Sequence, residues 1–316
     1  MEEKKSRKKQ IIIIAVIAAA VLAISGFILM KVLGPKSYRV LKVYKVEGTS
    51  IIKHADGSEV TPYENMLLQS GDTIKLDEGT FIIKADEDKY IYLENGTEII
   101  LTAEGTSADS RTIVELKTGA VINRVDRHLS EGSVYEVNTP NATMSVRGTV
   151  VRMEYIVSAN GIAYTHTQVF EGVVDTALVY PDGTIVDKGV NVAEGMGVLI
   201  YRDNDNDVTD YVSDPQPIDY AKLRLQTIDY LKLVIDESRR KLSVSKEDLA
   251  KLREMADKTF TVTFKNGDTV FATQSVKAGQ KVKEPKLMPT ASGKWNFDFD
   301  KTIITEDTEI KWEAGK

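Results

Sequence analysis

Apolar and polar positions follow different periods in different stretches of this sequence. Ile11 to Met30 is an uninterrupted run of twenty residues without a charge, and roughly 20 apolar residues span the ~30 Å hydrocarbon core of a bilayer. From Tyr44 to Tyr201 the pattern breaks into short β-prone runs. Val151, Met153, Tyr155 and Val157 alternate with Arg152 and Glu154, which places them on opposite faces of a strand. Turn dipeptides punctuate these runs: Asp56-Gly57, Asn95-Gly96, Asn160-Gly161 and Pro181-Asp182-Gly183. Many short strands at such spacing predict a sandwich, a barrel or a solenoid of stacked rungs.

After an acidic loop closed by Pro215-Gln216-Pro217, the period changes to that of a helix. Ile228, Leu231 and Ile235 continue a stripe that begins at Ile218 and Leu225. Ser245-Lys246-Glu247-Asp248 has the form of a capping box ahead of Leu249 and Leu252. Two helices, about 218–241 and 246–257, are expected as a connector, with docking on the β domain as the alternative. In the tail, Phe260, Val262 and Phe264 alternate up to Lys265-Asn266-Gly267-Asp268, a hairpin signal. The expected organisation is a stub (1–10), a transmembrane helix (11–33), a linker (34–43), a β domain (44–201), an acidic loop (202–217), a helical connector (218–257) and a small β module (258–316).

Charge refines the first element. Lys4, Lys5, Arg7, Lys8 and Lys9 precede the apolar run, and Lys31, Lys36 and Arg39 follow it. This excess directs the N-terminus to the cytoplasm and the remainder outside, as a single-pass cell-membrane protein. A cleaved signal peptide is the alternative, but its apolar region usually runs only about 7–15 residues. Residues 37–316 retain 34 of the 41 basic and 45 of the 47 acidic residues, a net of −11. So acidic a body does not seek nucleic acid or anionic lipid. The absence of cysteine excludes disulfides and thiolate chemistry.

Two stretches resemble known families. Thr139-Pro140-Asn141-Ala142-Thr143-Met144-Ser145-Val146-Arg147-Gly148-Thr149 resembles the T-P-x-A-x-x-x-V-R-G-T hallmark of the FecR domain. Leu68-Gln69-Ser70-Gly71-Asp72-Thr73-Ile74 is similar to its L-x-x-G-D-x-I element, and Phe170-Glu171-Gly172-Val173 and Ala193-Glu194-Gly195-Met196 to its closing strands. The resemblance covers about 44–201 and implies an all-β, solenoid-like fold, which leaves the β domain expected as solenoid-like or a sandwich. FecR-like proteins of Gram-negative envelopes are regulators whose cytoplasmic domain controls a sigma factor. With only Met1–Gln10 on that side, direct anti-sigma activity is not carried over. The tail resembles the Listeria–Bacteroides repeat, or internalin-type B-repeat, a β-grasp-like surface module. Val262-Thr263-Phe264, Val276-Lys277-Ala278-Gly279-Gln280, Trp295-Asn296-Phe297-Asp298-Phe299, Ile303, Thr308 and Lys311-Trp312 carry this resemblance.

Candidate chemistry is sparse. Arg147-Gly148 is read as architectural: a half-buried arginine would satisfy backbone carbonyls or a carboxylate, and Arg147→Ala would lower the melting temperature. Asp203, Asp205 and Asp207 sit at positions 1, 3 and 5 of an EF-hand-like loop. Val208 replaces the required glycine and Asp214 the final glutamate, so a solvated loop is expected instead. His54, His128 and His166 lack metal-ligand spacing, and His166 is placed with Tyr164 and Gln168 on an exposed polar face. Asp175 and Asp187 would serve glycoside hydrolysis only if they met in a cleft. Asn95-Gly96-Thr97 and Asn141-Ala142-Thr143 fit the glycosylation sequon but are read as turn and strand residues in a bacterial chain. No nucleophile, phosphate-loop or dinucleotide motif occurs. No enzyme activity, catalytic residue, metal or cofactor is expected, and no ligand-binding residue is assigned. The function expected is non-catalytic binding or adhesion at a bacterial cell surface, to envelope polymer or another surface protein. The alternative is a sensory accessory that passes an extracellular signal through its transmembrane helix, where Ala15, Ala18, Ala19 and Ser25-Gly26 offer small packing surfaces.

Overall fold

The structure is a computed structural model. It describes residues 39–315 except 107–108, 127–128, 130–131, 159–160, 187–188, 203–210, 279, 287–288, 290–291, 300–301 and 303. The expected span over 11–33 therefore lies outside the described residues. Among those residues no helix is long and apolar enough to cross a membrane.

The chain is mainly β, with two α-helices among the described residues. Three long strands organise it: β1 (Leu41–Lys53), β3 (Asp72–Ala85) and β6 (Ser110–Val125). β1 pairs with β3 along its whole length, whereas β3 and β6 change partners part-way along. The first part of β3 pairs with β5 (Thr97–Gly105) and its second part with β4 (Lys89–Leu93). The first part of β6 pairs with β5 and with β7 (Val134–Thr139), its second part with β4 and β9 (Val150–Val157). The switch falls at glycines. Gly48 of β1 and Gly79 of β3 face each other in the ladder with φ of +90° and +120°. A Cβ on Gly79 would sit 2.1 Å from the Glu47 carbonyl oxygen, and one on Gly48 would sit 2.2 Å from that of Glu78. Only glycine lets two backbones cross this closely while bending.

The bends fold one sheet onto itself. One half continues through β7, β8 (Ala142–Val146), β11 (Val173–Leu178) and β12 (Val190–Ala193); β2 (Glu59–Val60) closes its other edge. The other half continues through β9, β10 (Ala163–Glu171) and β13 (Met196–Arg202), with β14 (Tyr211–Val212) and β15 (Gln216–Pro217) beside it. Between the halves lies one core, to which Ile74, Leu101, Val114, Met144 and Val174 contribute from the first and Phe81, Ile91, Val121, Met153 and Val169 from the second. Pairing is antiparallel in this sheet except between β6 and β7. Stacked solenoid rungs would pair in parallel throughout, so of the expected architectures this is the sandwich rather than the solenoid.

The halves differ on their outer faces. In the first half β7 and β8 alternate buried and open positions. In the second, Phe81-Ile82-Ile83, Ile91-Tyr92-Leu93 and Val121-Ile122 are buried on both sides. The cover is α1 (Leu225–Ser238) and α2 (Lys246–Asp257), whose Ile228, Leu231, Val234 and Leu249 pack with Ile82, Tyr92, Ile122, Val150 and Phe170. The helices are thus a docked layer on the sandwich. α1 starts later than its apolar stripe: Asp219 caps a 3-10 turn over Tyr220–Lys222, and Leu223 and Arg224 are extended. Ser245 caps α2 as its sequence requires, accepting from the Asp248 amide at 3.0 Å.

The tail forms a separate mixed sheet of β16 (Thr259–Asn266), β17 (Thr269–Lys277), β18 (Gly293–Trp295) and β19 (Thr308–Ala314), in the order β17-β16-β19-β18. Its own core contains Val262, Phe264, Val276, Trp295 and Ile310.

Candidate functional site

Beneath the helices lies a buried polar cluster. Glu94, just after β4, and Arg152, on β9, are 1% and 4% exposed at their side chains. Arg152 grips the carboxylate with both arms, Nε to Oε1 at 2.8 Å and Nη2 to Oε2 at 2.9 Å. Its remaining nitrogen donates to Glu154 at 2.9 Å and to the Gln168 side-chain oxygen at 3.2 Å. From the helix side, Thr227 donates to Glu94 at 2.5 Å and Arg224 pairs with Glu154. Burial alone would raise Glu94, but the Arg152 fork, Thr227 and Arg224 outweigh it and hold the carboxyl below its ordinary range. A second clasp joins Arg124 of β6 to Glu237 of α1 at 3.1 Å, and Arg240 bonds Glu171 of β10 and the Val125 carbonyl.

Beside this cluster a cleft of about 450 Å³ opens between β9, β10, β13 and residues 216–224, lined in part by Arg152, Glu154, His166, Gln168 and Arg224. His166 and Gln168 therefore do not lie on an open face as expected; Gln168 is buried, because the segment leading into α1 crosses over it. Burial, with help from the Arg152 guanidinium, lowers the His166 pKa below the ordinary histidine value of 6.5. The folded chain thus resists a proton that the unfolded chain accepts. Stability from this residue is present above about pH 6.5 and falls as the pH drops below it. Denaturant titrations at pH 7.5 and 5.5 should show this loss, and His166→Gln should reduce it; an unchanged difference would remove His166 as the cause.

The opposite outer face carries no helix among the described residues. Cross-strand register sets Glu136, Ser145, Asp175 and Asn191 in one row over β7, β8, β11 and β12. A neighbouring row contains Glu115, Asn138, Thr143 and Ala177. Three hollows run together along these rows. The largest, about 770 Å³, includes Glu115, Lys117, Thr143, Tyr180, Ile185 and Arg202. Next to it, about 360 Å³ is bounded by Glu136, Ser145, Asp175, Ile185 and Gly189. The last, about 300 Å³, is bounded by Ser145, Arg147, Val173, Asp175 and Asn191. Together they make an open trough with charged, hydroxyl and amide walls.

Arg147 departs from its expected role. It follows β8 on the same outward side as Thr143 and Ser145 and is exposed rather than half-buried. Its guanidinium makes no hydrogen bond or ion pair among the described residues. Arg147→Ala should therefore leave the unfolding free energy within about 0.5 kcal/mol, and a clear drop in melting temperature would contradict that. Asn141 is the architectural residue of the hallmark. Buried in the turn between β7 and β8, it donates to the Ala163 carbonyl at 3.2 Å and accepts from Thr139 and Thr165. Its burial also removes it from any surface glycosylation. Asp72 is likewise structural, accepting from the Gln69 amide and lying 2.8 Å from His54 Nδ1.

The acidic loop residues Asp203, Asp205 and Asp207, and also His128 and Asp187, lie outside the described residues. Among the described residues no cluster of three or more histidine or carboxylate side chains is placed to hold a metal. The sequence reading missed the Glu94–Arg152 pair and the trough. Arg152, a charged residue between Val151 and Met153 in a strand that is buried at both positions around it, was the available signal for the first.

Residues 63–175 match the FecR protein family and form a FecR domain. The match ends well before the C-terminal sheet. No curated protein matches the chain. Among solved structures, two crystal structures of a candidate anti-sigma factor from Parabacteroides distasonis are similar in part. One, at 2.50 Å resolution, has 15% identity and a TM-score of 0.37 over 52% of this chain and 73% of that one. The other, at 1.65 Å, has 13% identity and a TM-score of 0.39 over 77% and 99%. A likeness at such scores says nothing about the function of this chain.

Proposed function

We propose that this chain is a membrane-tethered accessory in envelope signalling. Its FecR domain senses a ligand outside the cell, and an N-terminal span over 11–33 passes the signal to a partner with its own cytoplasmic domain. The observation that carries this reading is the FecR match over 63–175, an interval that contains Glu115, Glu136, Ser145, Arg147 and Asp175 of the trough. Asymmetry of the sandwich supports it: one outer face is closed by helices and polar clasps, the other is open and polar. The first residue described, Arg39, is itself held firmly to the domain. It bonds Asp86 at 2.8 Å, the Glu104 carbonyl at 3.0 Å and the Thr112 hydroxyl at 2.5 Å.

Non-catalytic adhesion, the first expectation from the sequence, finds no support in the family match. The C-terminal sheet, read as a B-repeat-like, β-grasp-like module on sequence resemblance, would contribute surface attachment in either case. Exchanging residues 11–33 for an unrelated apolar helix separates the readings. A signalling partner should lose its transcriptional output in the native host while the ectodomain stays folded and surface-exposed. Full output after the exchange would return the chain to the class of surface binders.

A further inference from the structure

We infer that the trough on the open face binds a short zwitterionic peptide, with the peptide carboxylate on Arg147 and its free amine between Glu136 and Asp175. This deepens the signalling reading by naming the class of ligand.

The register of three strands supplies the geometry. Ser145 pairs with Glu136 on one side and with Asp175 on the other. Adjacent strands lie about 4.8 Å apart, so the two acidic residues flank Ser145 with their backbones roughly 10 Å from each other. Both are on the face where Ser145 is exposed. An ammonium group seated over Ser145 is within reach of both carboxylates and of the serine hydroxyl. Arg147, two residues further along and just past the end of β8, is within about 7 Å of backbone span from Ser145 and borders the same hollow. An extended peptide advances at most about 3.3–3.6 Å per residue, so two residues cover the distance from amine site to guanidinium. The planar fork of arginine suits a carboxylate, which it can hold through two parallel hydrogen bonds.

The charges concerned are the ones the fold leaves without partners. Elsewhere in the trough Lys117 pairs with Glu115 at 2.7 Å, and Arg202 donates to the Pro140 and Val179 carbonyls. Glu136, Arg147 and Asp175 have no such bond among the described residues. Two unneutralised carboxylates on either side of one serine repel each other weakly, and a bound cation relieves that repulsion. Apolar wall groups are present as well: Ile185 and Val173 are 53% and 52% exposed at the rim, where small peptide side chains would cover them. Asn191, at the end of the same row, offers both a donor and an acceptor to the peptide backbone. A polyamine would leave Arg147 unused, and a neutral glycan would use neither charge.

The test is calorimetric titration of the detergent-solubilised full chain, at low salt, with L-alanyl-L-alanine, its N-acetyl form and its C-terminal amide. Free dialanine should bind, and each cap should weaken binding at least tenfold. Arg147→Ala should abolish the difference between free acid and amide. Glu136→Gln with Asp175→Asn should abolish the difference between free amine and N-acetyl forms. All three side chains face solvent, so thermal melts of these variants should match the parent; if one does not, the cap comparison on the unmodified chain decides. No binding at millimolar peptide, equal binding of the capped forms, or loss with only one of the two caps would overturn the inference. Should dialanine bind as expected but leave transcriptional output in the host unchanged, the signalling reading fails and the peptide site stands.

Discussion

Arg152→Ala is expected to destabilise the β domain by about 3–5 kcal/mol, the usual cost of removing one partner from a buried ion pair. Glu94 would keep Thr227 and the more distant Arg224, at 3.9 Å, but lose the two-pronged contact that justifies its charge in a site 1% exposed. Its carboxyl would then be easier to protonate when folded than when unfolded. The sign of the pH dependence follows. In the parent, the lowered Glu94 pKa contributes stability that is present above the unfolded value, near 4.5, and is lost as the pH falls through the folded value. In the variant the charged form is penalised, so its deficit should be larger at pH 7.5 than at pH 4.5. Arg152→Lys should restore little, because an ammonium cannot span both carboxylate oxygens while also reaching Glu154 and Gln168. Because Thr227 and Arg224 belong to the helical layer, the variant should also expose residues 216–245 to limited proteolysis. Denaturant unfolding at both pH values is the measurement. A loss under about 1 kcal/mol would show that the Glu94–Arg152 pair contributes little to holding the helices.

Gly79→Ala should be nearly as damaging for a purely steric reason. At φ = +120° any L-residue is strained, and the added methyl would stand 2.1 Å from the Glu47 carbonyl and 2.8 Å from the Gly48 Cα, both backbone atoms. Strain of about 1–2 kcal/mol for the backbone conformation adds to about 1–3 kcal/mol for overpacking, a total of roughly 2–5 kcal/mol. Gly57→Ala provides the control. Its φ is +86°, but nothing lies within 4 Å of the new methyl, so only the strain remains and about 1–2 kcal/mol is expected. Equal losses at the two sites would mean that the crossing of β1 and β3 yields more readily than its geometry indicates.

Much of the architecture is legible in local pattern. Alternation in Ala142–Val146, with Thr143 and Ser145 outward, and the turn at Asn266-Gly267 are local properties, and both are realised. Docking of the helices is legible too, in the runs Phe81-Ile82-Ile83 and Ile91-Tyr92-Leu93. Strands apolar at every position need cover on both faces, and the helical stretch supplies it with an apolar stripe that includes Ile228, Leu231, Val234 and Leu249. Arg147 shows the converse. Its place in a family-specific pattern says nothing of its burial, which depends on whether a neighbouring layer crosses over the end of β8. None does among the described residues.

The sequence by itself determined the β-rich class, the helical period after Ile218, the acidic body and the FecR resemblance, because composition, periodicity and local motif need no partner elsewhere in the chain. Tertiary structure alone decided the pairing of Glu94 with Arg152, 58 residues apart, and the row that sets Glu136, Ser145 and Asp175 side by side. Such meetings depend on strand register and on where a long strand bends at a glycine. A shift of one residue would turn every one of these side chains to the opposite face.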